Sequence, residues 1–141
     1  SNLEKKVKEL RLEEKILFLG RLPFEEMMSK TKNAKLAISI DKATNGNYAI
    51  SLPNKIFEYI ACSVPVLVSP LQEIKLIVEN FKTGEFLSSY NPQDLAKQIT
   101  NLLNNNIKLD LIAENCKKAA KELCWENEET QIFKTIKQLE K

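Results

Sequence analysis

The sequence contains no histidine among its 141 residues. This absence excludes a histidine base, a histidine-activated nucleophile and a histidine metal ligand within the chain. No two aspartates have the D-x-D spacing that holds a divalent cation, because aspartate occurs only at positions 41, 94 and 110. We therefore predict that the chain binds no metal ion.

Cysteines and long apolar runs are also scarce. The three cysteines, at positions 62, 116 and 124, are odd in number and lack the spacing of a metal site. We therefore predict reduced thiols and a cytoplasmic protein. No apolar run approaches the roughly 20 residues of a membrane helix, and no signal peptide is recognisable. A peripheral position of the full-length protein at the inner face of the membrane stays open.

The composition is that of an ordinary globular domain. Hydrophobic residues make up 43% of the chain and charged residues 28%, and a chain of this length can bury one core. The formal net charge of +2 creates no strong field that would attract nucleic acid. We therefore predict a single domain without a nucleic-acid partner.

The central feature of the chain is the stretch of residues 51–69, SLPNKIFEYIACSVPVLVS. Proline suits the first turn of a helix, because its φ is fixed and its missing N–H has no partner there. A helix should therefore open on Pro53, with Ser51 as its N-cap and with Ile56, Phe57, Ile60 and Ala61 on its inward face. Residues 64–68 form a β-branched run that is typical of a strand buried on both faces of a parallel sheet.

Three polar side chains, on Asn54, Lys55 and Glu58, lie on the other side of the first two turns of this helix. The free N–H groups and the dipole of a helix N-terminus favour the binding of an anion. The residues alone leave two interpretations open. One is an exposed, solvated helix face, and the other is a ligand site that offers an amide, an ammonium and a carboxylate together.

Strands and helices alternate along the rest of the chain. The predicted strands are residues 16–19, 36–40, 64–68 and 85–87, and the other predicted helices are residues 3–12, 23–29, 71–80, a helix opening at 91–92, 109–123 and 126–141. Residues 41–50 form a polar loop with a turn signal at Asn45 and Gly46. This order predicts a Rossmann-like α/β fold, with a mostly parallel sheet of about four strands flanked by helices.

Gly20 and Arg21 follow the first predicted strand, at the carboxyl end where open α/β sheets bind ligands. Gly20 is either a turn glycine or a ligand contact, and Arg21 is either a surface cation or a ligand contact. We expect Phe18 to lie in the core and Trp125 to pack between the last helices.

Residues 51–69 resemble the signature segment of the group 1 glycosyltransferases with the GT-B fold, in their second, nucleotide-sugar-binding domain. Two further stretches fit that family in the right order. ILFLGRL, residues 16–22, resembles its strand and base-contacting turn, and LCWENEETQIF, residues 123–133, resembles its closing tryptophan-containing segment. The resemblance implies a truncated second domain of a GT-B fold. It also implies an enzyme that transfers a sugar from a nucleotide-diphosphate sugar to a glycan, lipid or protein, with retention and without a metal or other cofactor.

The resemblance also implies roles for the polar residues of this chain. Glu58 would accept hydrogen bonds from the ribose hydroxyls of the donor, since a carboxylate can accept two at once. Lys55 would contact the diphosphate. The donor-binding residues implied in this way are Glu58, Lys55, Asn54, Ser51, Arg21 and Gly20.

The chain departs from that family at two positions. The family often carries two glutamates separated by seven residues, and the position of the first is Ile50 here. Isoleucine cannot replace a carboxylate, so Lys55 or the backbone amides of the loop would take over at the phosphates. Ser63 stands where a glycine in a left-handed turn is common.

Compared with that family, the chain lacks the acceptor-binding first domain with its catalytic residues, and two strand–helix units of the second domain. The resemblance therefore implies no catalytic residue within these 141 residues and a fragment that is inactive by itself. Unpaired sheet edges invite association, so we expect a homodimer. A non-catalytic α/β interaction or assembly module is the alternative function, and the sugar, the nucleotide base and the acceptor are left open.

Overall fold

Three short parallel strands form the centre of the fold in the computed structural model, which describes residues 1–44 and 46–139. They are β1 (Ala37–Ser39), β2 (Val66–Val68) and β3 (Gly84–Phe86), and they lie side by side in chain order. The helices of the described residues are α1 (Asn2–Glu9), α2 (Phe24–Lys32), α3 (Gly46–Ala49), α4 (Asn54–Ala61), α5 (Gln72–Phe81), α6 (Pro92–Leu103), α7 (Asn106–Glu122) and α8 (Trp125–Leu139). The α/β class is therefore confirmed.

The hydrophobic core lies between one face of the sheet and helices α4, α5 and α7. Alternate residues of a strand point to the same face, which places Ala37, Val66 and Val68 in this core. Ile56 and Ile60 of α4 are fully buried against them. The inward stripe predicted for the central helix is therefore confirmed for these two residues. Phe57 is half-buried, and Ala61 is exposed, so the prediction was wrong for Ala61.

Helix α7 packs at the amino ends of β2 and β3. The Sγ atom of Cys116 lies 3.6 Å from the carbonyl oxygen of Val64 and 3.4 Å from that of Thr83, and both of these residues precede their strands. Burial raises the pKa of the Cys116 thiol to about 12, so this thiol stays neutral and packs as an apolar group. Helix α7 therefore lies at the end of the sheet opposite to the carboxyl ends of the strands.

Residues 16–19, predicted as the first strand, are not part of the sheet. The N–H of Ile16 donates to the carbonyl of Leu12 in a turn, at 2.9 Å, and the segment lines a shallow groove beside Val7 of α1. A strand forms only where its backbone groups pair with a neighbouring strand, and this segment has no such partner among the described residues. The prediction of about four strands was therefore wrong, since the described chain has three. Phe18, expected in the core, is 47% exposed.

Helix α4 begins one residue later than predicted. Pro53 is its N-cap residue, and no side-chain hydrogen bond from the described residues caps this end. The prediction of Ser51 as the N-cap was therefore wrong. The loop before α4 contains the one-turn helix α3, which begins at Gly46. The other half of the predicted turn, Asn45, lies outside the described residues, as do residues 140 and 141 of the predicted last helix.

The turn from α4 to β2 passes through a left-handed residue. Ser63 has a φ of 59°, its N–H donates to the carbonyl of Ile60, and the N–H of Val64 donates to that of Tyr59. These two bonds form a Schellman motif, which satisfies carbonyl groups at the end of a helix. A serine in this conformation costs roughly 1 kcal/mol relative to glycine. The structure thus explains why a glycine is favourable at this position.

Helix α8 lies on the surface of the described chain, and none of its described residues is buried. Trp125 is 66% exposed, so the expectation that it packs between the last helices was wrong. Ile132, Phe133 and Ile136 are also exposed. Neither α8 nor any other helix of residues 1–44 and 46–139 is long and apolar enough to cross a membrane.

Candidate functional site

Polar side chains gather where the three parallel strands end. Ser39 closes β1, Ser69 follows β2 directly, and Tyr90 lies four residues beyond the end of β3. The carboxyl ends of parallel strands meet at one edge of the sheet, which is where open α/β sheets bind their ligands. Helix α4 also starts at this edge, because it follows β1 in the chain.

An ion pair joins the end of β1 to the first turn of α4. Lys55 Nζ lies 3.0 Å from Asp41 Oδ2, and the hydroxyl of Ser39 donates to the same oxygen at 3.0 Å. Ser39 is buried, whereas the side chains of Lys55 and Asp41 are 38% and 37% exposed. At that exposure the pair contributes about 1 kcal/mol or less to stability.

The ion pair also fixes the charge of the carboxylate. The hydrogen bond from Lys55, followed by the one from Ser39, lowers the pKa of Asp41 below its ordinary value. The pair therefore stabilises the fold at pH values above the unfolded pKa, and this contribution is lost as the pH falls through the lowered folded pKa. At neutral pH Asp41 is an anion that can only accept hydrogen bonds.

The hydroxyl of Tyr90 connects the ends of all three strands. It lies 2.9 Å from the carbonyl oxygen of Asp41 and 3.0 Å from Ser69 Oγ. The N–H of the buried Ser69 donates to the carbonyl of Ser39 at 3.0 Å. Lys42 Nζ lies 5.2 Å from the centre of the Tyr90 ring, within the range of a cation–π contact.

Four of the predicted donor-binding residues lie on one stretch of chain at this edge. Asn54 is exposed on the first turn of α4, Lys55 follows it, and Glu58 is half-buried one turn further on. Ser51 is half-buried in the loop just before the helix. An amide, an ammonium and a carboxylate therefore project from the first two turns of a helix whose N-terminus carries no side-chain cap from the described residues.

Gly20 and Arg21 lie elsewhere in the fold. Both are exposed, and Gly20 takes a left-handed φ of 65°, a backbone conformation that favours glycine. Within the described residues, no hydrogen bond or ion pair joins either residue to the pair of Asp41 and Lys55. Since residues 16–19 are not a strand, the expectation that Arg21 stands at the carboxyl end of a sheet strand was wrong.

The sequence prediction missed Ser39, Ser69 and Tyr90 as members of this polar cluster, and it placed Asp41 only as the first residue of a polar loop after a strand. A usable signal was present, because each of these residues lies within four positions of a strand's last residue. The contact between Tyr90 and Asp41 spans 49 positions of the chain, and only the folded structure reveals it.

Two further observations describe the surroundings of the site. The described residues contain no group of three or more metal-binding side chains. A cavity of about 630 Å³ opens between β3, α6 and the start of α7, where Lys108 and Glu85 form an ion pair. None of the predicted donor-binding residues lines that cavity.

The chain is similar to known proteins in sequence and in fold. The family model for glycosyl transferases group 1 matches residues 1–123. An uncharacterised glycosyltransferase of Methanocaldococcus jannaschii is 28% identical over 111 residues, which are 79% of this chain and 30% of that protein. Sucrose-phosphate synthase from Thermosynechococcus elongatus has a similar structure, with a TM-score of 0.80 and 21% identity over 98% of this chain and 33% of its own. The chain thus spans about a third of the length of both proteins.

Proposed function

The chain belongs to the group 1 glycosyltransferase family, and on that premise we propose that it is the donor-binding part of an enzyme that transfers a sugar from a nucleotide-diphosphate sugar to an acceptor. The observation that carries this proposal is the Lys55 ammonium on the first turn of α4, beside an N-terminus that no described side chain caps. A diphosphate at this point would meet the positive end of the helix dipole, free N–H groups and a cation.

The other donor contacts follow from the same placement. Glu58, one turn from Lys55, would accept hydrogen bonds from the ribose hydroxyls. Asn54 and Ser51 would flank the diphosphate from the start of α4 and the loop before it. Gly20 and Arg21 complete the proposed set from the exposed segment that precedes α2.

The proposal extends to the whole protein of which this chain is a part. We place the chain in the second domain of a GT-B enzyme, with the acceptor-binding domain, its catalytic residues and further strand–helix units of the donor domain supplied by the rest of the protein. Supporting this, the chain spans only about a third of its relatives. We propose a retaining, metal-independent transfer to a glycan, lipid or protein, and no activity for this part alone. The three free cysteines suit a reducing, cytoplasmic location.

We also propose that this chain on its own forms a homodimer through the outer edge of β1. This strand ends the sheet among the described residues, and Ile38 and Ile40 are each 39% exposed there. Unpaired N–H and carbonyl groups beside apolar side chains favour pairing with another strand. Light scattering of the isolated chain at high concentration should give twice the mass of one copy, and a strict monomer would contradict the proposal.

Replacing Lys55 by methionine tests the proposed function. In the full-length protein that contains this chain, the variant should bind UDP, ADP or GDP about tenfold more weakly than the wild type, measured by titration calorimetry, because one charge-assisted contact is lost. The matched control is Lys75→Met, which removes an exposed lysine of α5 that pairs with Glu79. Adding EDTA should leave the nucleotide affinities of the wild type and of Lys55→Met unchanged.

Two results would overturn the proposal. One is a wild-type protein that binds none of the three nucleotides, which would favour the non-catalytic assembly module. The other is equal affinity for the wild type and Lys55→Met, which would remove Lys55 from the site.

A further inference from the structure

The hydroxyl of Tyr90 holds the segment that carries Asp41. A carbonyl oxygen only accepts hydrogen bonds, and a tyrosine hydroxyl has one hydrogen. Tyr90 therefore donates to the Asp41 carbonyl at 2.9 Å and accepts from the hydroxyl of Ser69 at 3.0 Å. Ser69 is fully buried and its N–H is bound to Ser39, so the phenol fixes Asp41 against a rigid part of the sheet.

Asp41 in turn fixes the ammonium of Lys55. Its backbone is held by Tyr90, and its carboxylate is held by the hydroxyl of Ser39 and contacts Lys55 Nζ at 3.0 Å. A lysine side chain has a flexible four-carbon stem with many rotamers. An ammonium carries three N–H groups, and the contact with Asp41 uses one of them, which leaves two for another acceptor.

We propose that Tyr90 is a positioning residue for the donor's diphosphate, acting through Asp41 on the ammonium of Lys55. This inference rests on the proposed function. A side chain that is ordered before its ligand arrives loses less conformational freedom on binding, and the affinity is correspondingly higher. Tyr90 itself contacts no part of the donor in this arrangement.

The variant Tyr90→Phe isolates this effect better than a change at Asp41. Asp41→Asn would alter the geometry and also remove a negative charge near a diphosphate, and these two changes act on affinity in opposite directions. Tyr90→Phe leaves every charge in place and keeps the ring under Lys42. It removes only the hydroxyl that holds the Asp41 carbonyl.

The experiment measures the affinity of the full-length protein for UDP, ADP, GDP and inorganic pyrophosphate by titration calorimetry. Tyr90→Phe should bind all four about fivefold more weakly. The loss of affinity should be the same for each probe, because Lys55 contacts only the diphosphate group that all four share. In a protein that already carries Lys55→Met, adding Tyr90→Phe should change nothing, since the residue through which it acts is gone.

Ser69 supplies the control for stability. Tyr90→Phe deprives the buried Ser69 hydroxyl of its bond to the phenol, which lowers stability. Ser69→Ala removes the hydroxyl that anchors the phenol but keeps the bond from Tyr90 to Asp41, so it should weaken binding less than Tyr90→Phe does. The double variant Tyr90→Phe/Ser69→Ala should recover stability but not affinity. It also provides a folded protein for the measurement if Tyr90→Phe alone is unstable.

The possible outcomes separate this inference from the proposed function. If the wild type binds the probes and Tyr90→Phe, alone or with Ser69→Ala, binds them equally well, the positioning role is wrong and the donor site stands. If Tyr90→Phe weakens binding by the same factor in the Lys55→Met protein as in the wild type, its effect is a general structural one. That result would also overturn the positioning role. A wild type that binds no probe would overturn both.

Discussion

Replacing Gly84 by alanine should destabilise the protein by about 3 kcal/mol or more, at the upper end of the range for overpacked cores. Gly84 pairs with Val66 across β3 and β2. A Cβ atom at Gly84 would overlap with the carbonyl carbon, the carbonyl oxygen and the Cγ2 atom of Val66. Two of these atoms belong to the backbone of a central, buried strand, so they cannot move aside as a flexible side chain can.

The matched control is Gly46→Ala. Among the described residues, a Cβ atom there would meet no atom within 4 Å beyond its chain neighbours and the backbone of its own helix, and Gly46 takes no left-handed φ. Its replacement should therefore change stability by less than about 1 kcal/mol, with stabilisation favoured because alanine restricts the unfolded chain. Urea unfolding of both variants measures the difference. If the free energy of unfolding of Gly84→Ala lies within about 1 kcal/mol of the wild-type value, the close approach of β2 and β3 is not as described.

The effect should also reach the polar cluster. Tyr90 follows β3 by only four residues, and its contact with Asp41 depends on the position of that strand. A variant that keeps some folded structure but loses the pairing of β2 with β3 should therefore also lose the contact between Tyr90 and Asp41. Hydrogen exchange of the backbone amides of residues 84–90 would measure the loss of the strand pairing, and the fluorescence of Tyr90 would report the loss of its contact with Asp41.

The central helix and strand were predictable because several local signals agree there. Pro53 marks the start of α4, the apolar residues at helical spacing mark its buried face, and the β-branched run marks β2. Each of these signals acts over a few residues. The end of the helix was also foreseeable, because the family's glycine position coincides with the left-handed Ser63.

The segment of residues 16–19 was not predictable in the same way. Its apolar run has the composition of a strand, but a strand needs a neighbour, and which segment becomes a neighbour is decided by the whole fold. The exposure of Phe18 and Trp125 has a similar origin. An apolar residue is buried only if another element covers it, and sequence spacing does not reveal that element.

The candidate site likewise has residues that local sequence signals reveal and residues that only the fold reveals. Lys55 and Glu58 could be found because they share a face of one helix beside an N-terminus. The partner of Lys55, Asp41, stands 14 positions earlier across a loop, and Tyr90 stands far later in the chain. Gly84 directly precedes the predicted strand of residues 85–87, and only its register opposite Val66 shows why a side chain does not fit there.

Replacing Glu58 by alanine should reduce sugar transfer by the full-length enzyme at least about tenfold, which corresponds to a loss of roughly 1.4 kcal/mol of transition-state stabilisation. Glu58 is half-buried on α4, one turn from Lys55. We propose that its carboxylate accepts two ribose hydroxyls of the donor, and hydrogen bonds to a charged group contribute about 1.5–3 kcal/mol each. The loss of one such bond is enough for the expected effect.

The fold should not change in this variant. Removing a glutamate that lies outside the core seldom costs more than about 0.5 kcal/mol, so urea unfolding should match the wild type. The control is Glu114→Ala on α7, which removes an exposed helical glutamate paired with Lys117 and should leave transfer unchanged. Release of the nucleoside diphosphate from a panel of UDP-, ADP- and GDP-sugars measures the rate. Alanine cannot accept a hydrogen bond from a hydroxyl. Equal rates for Glu58→Ala and the wild type would therefore show that the ribose does not bind at Glu58, which would contradict the proposed role of this residue.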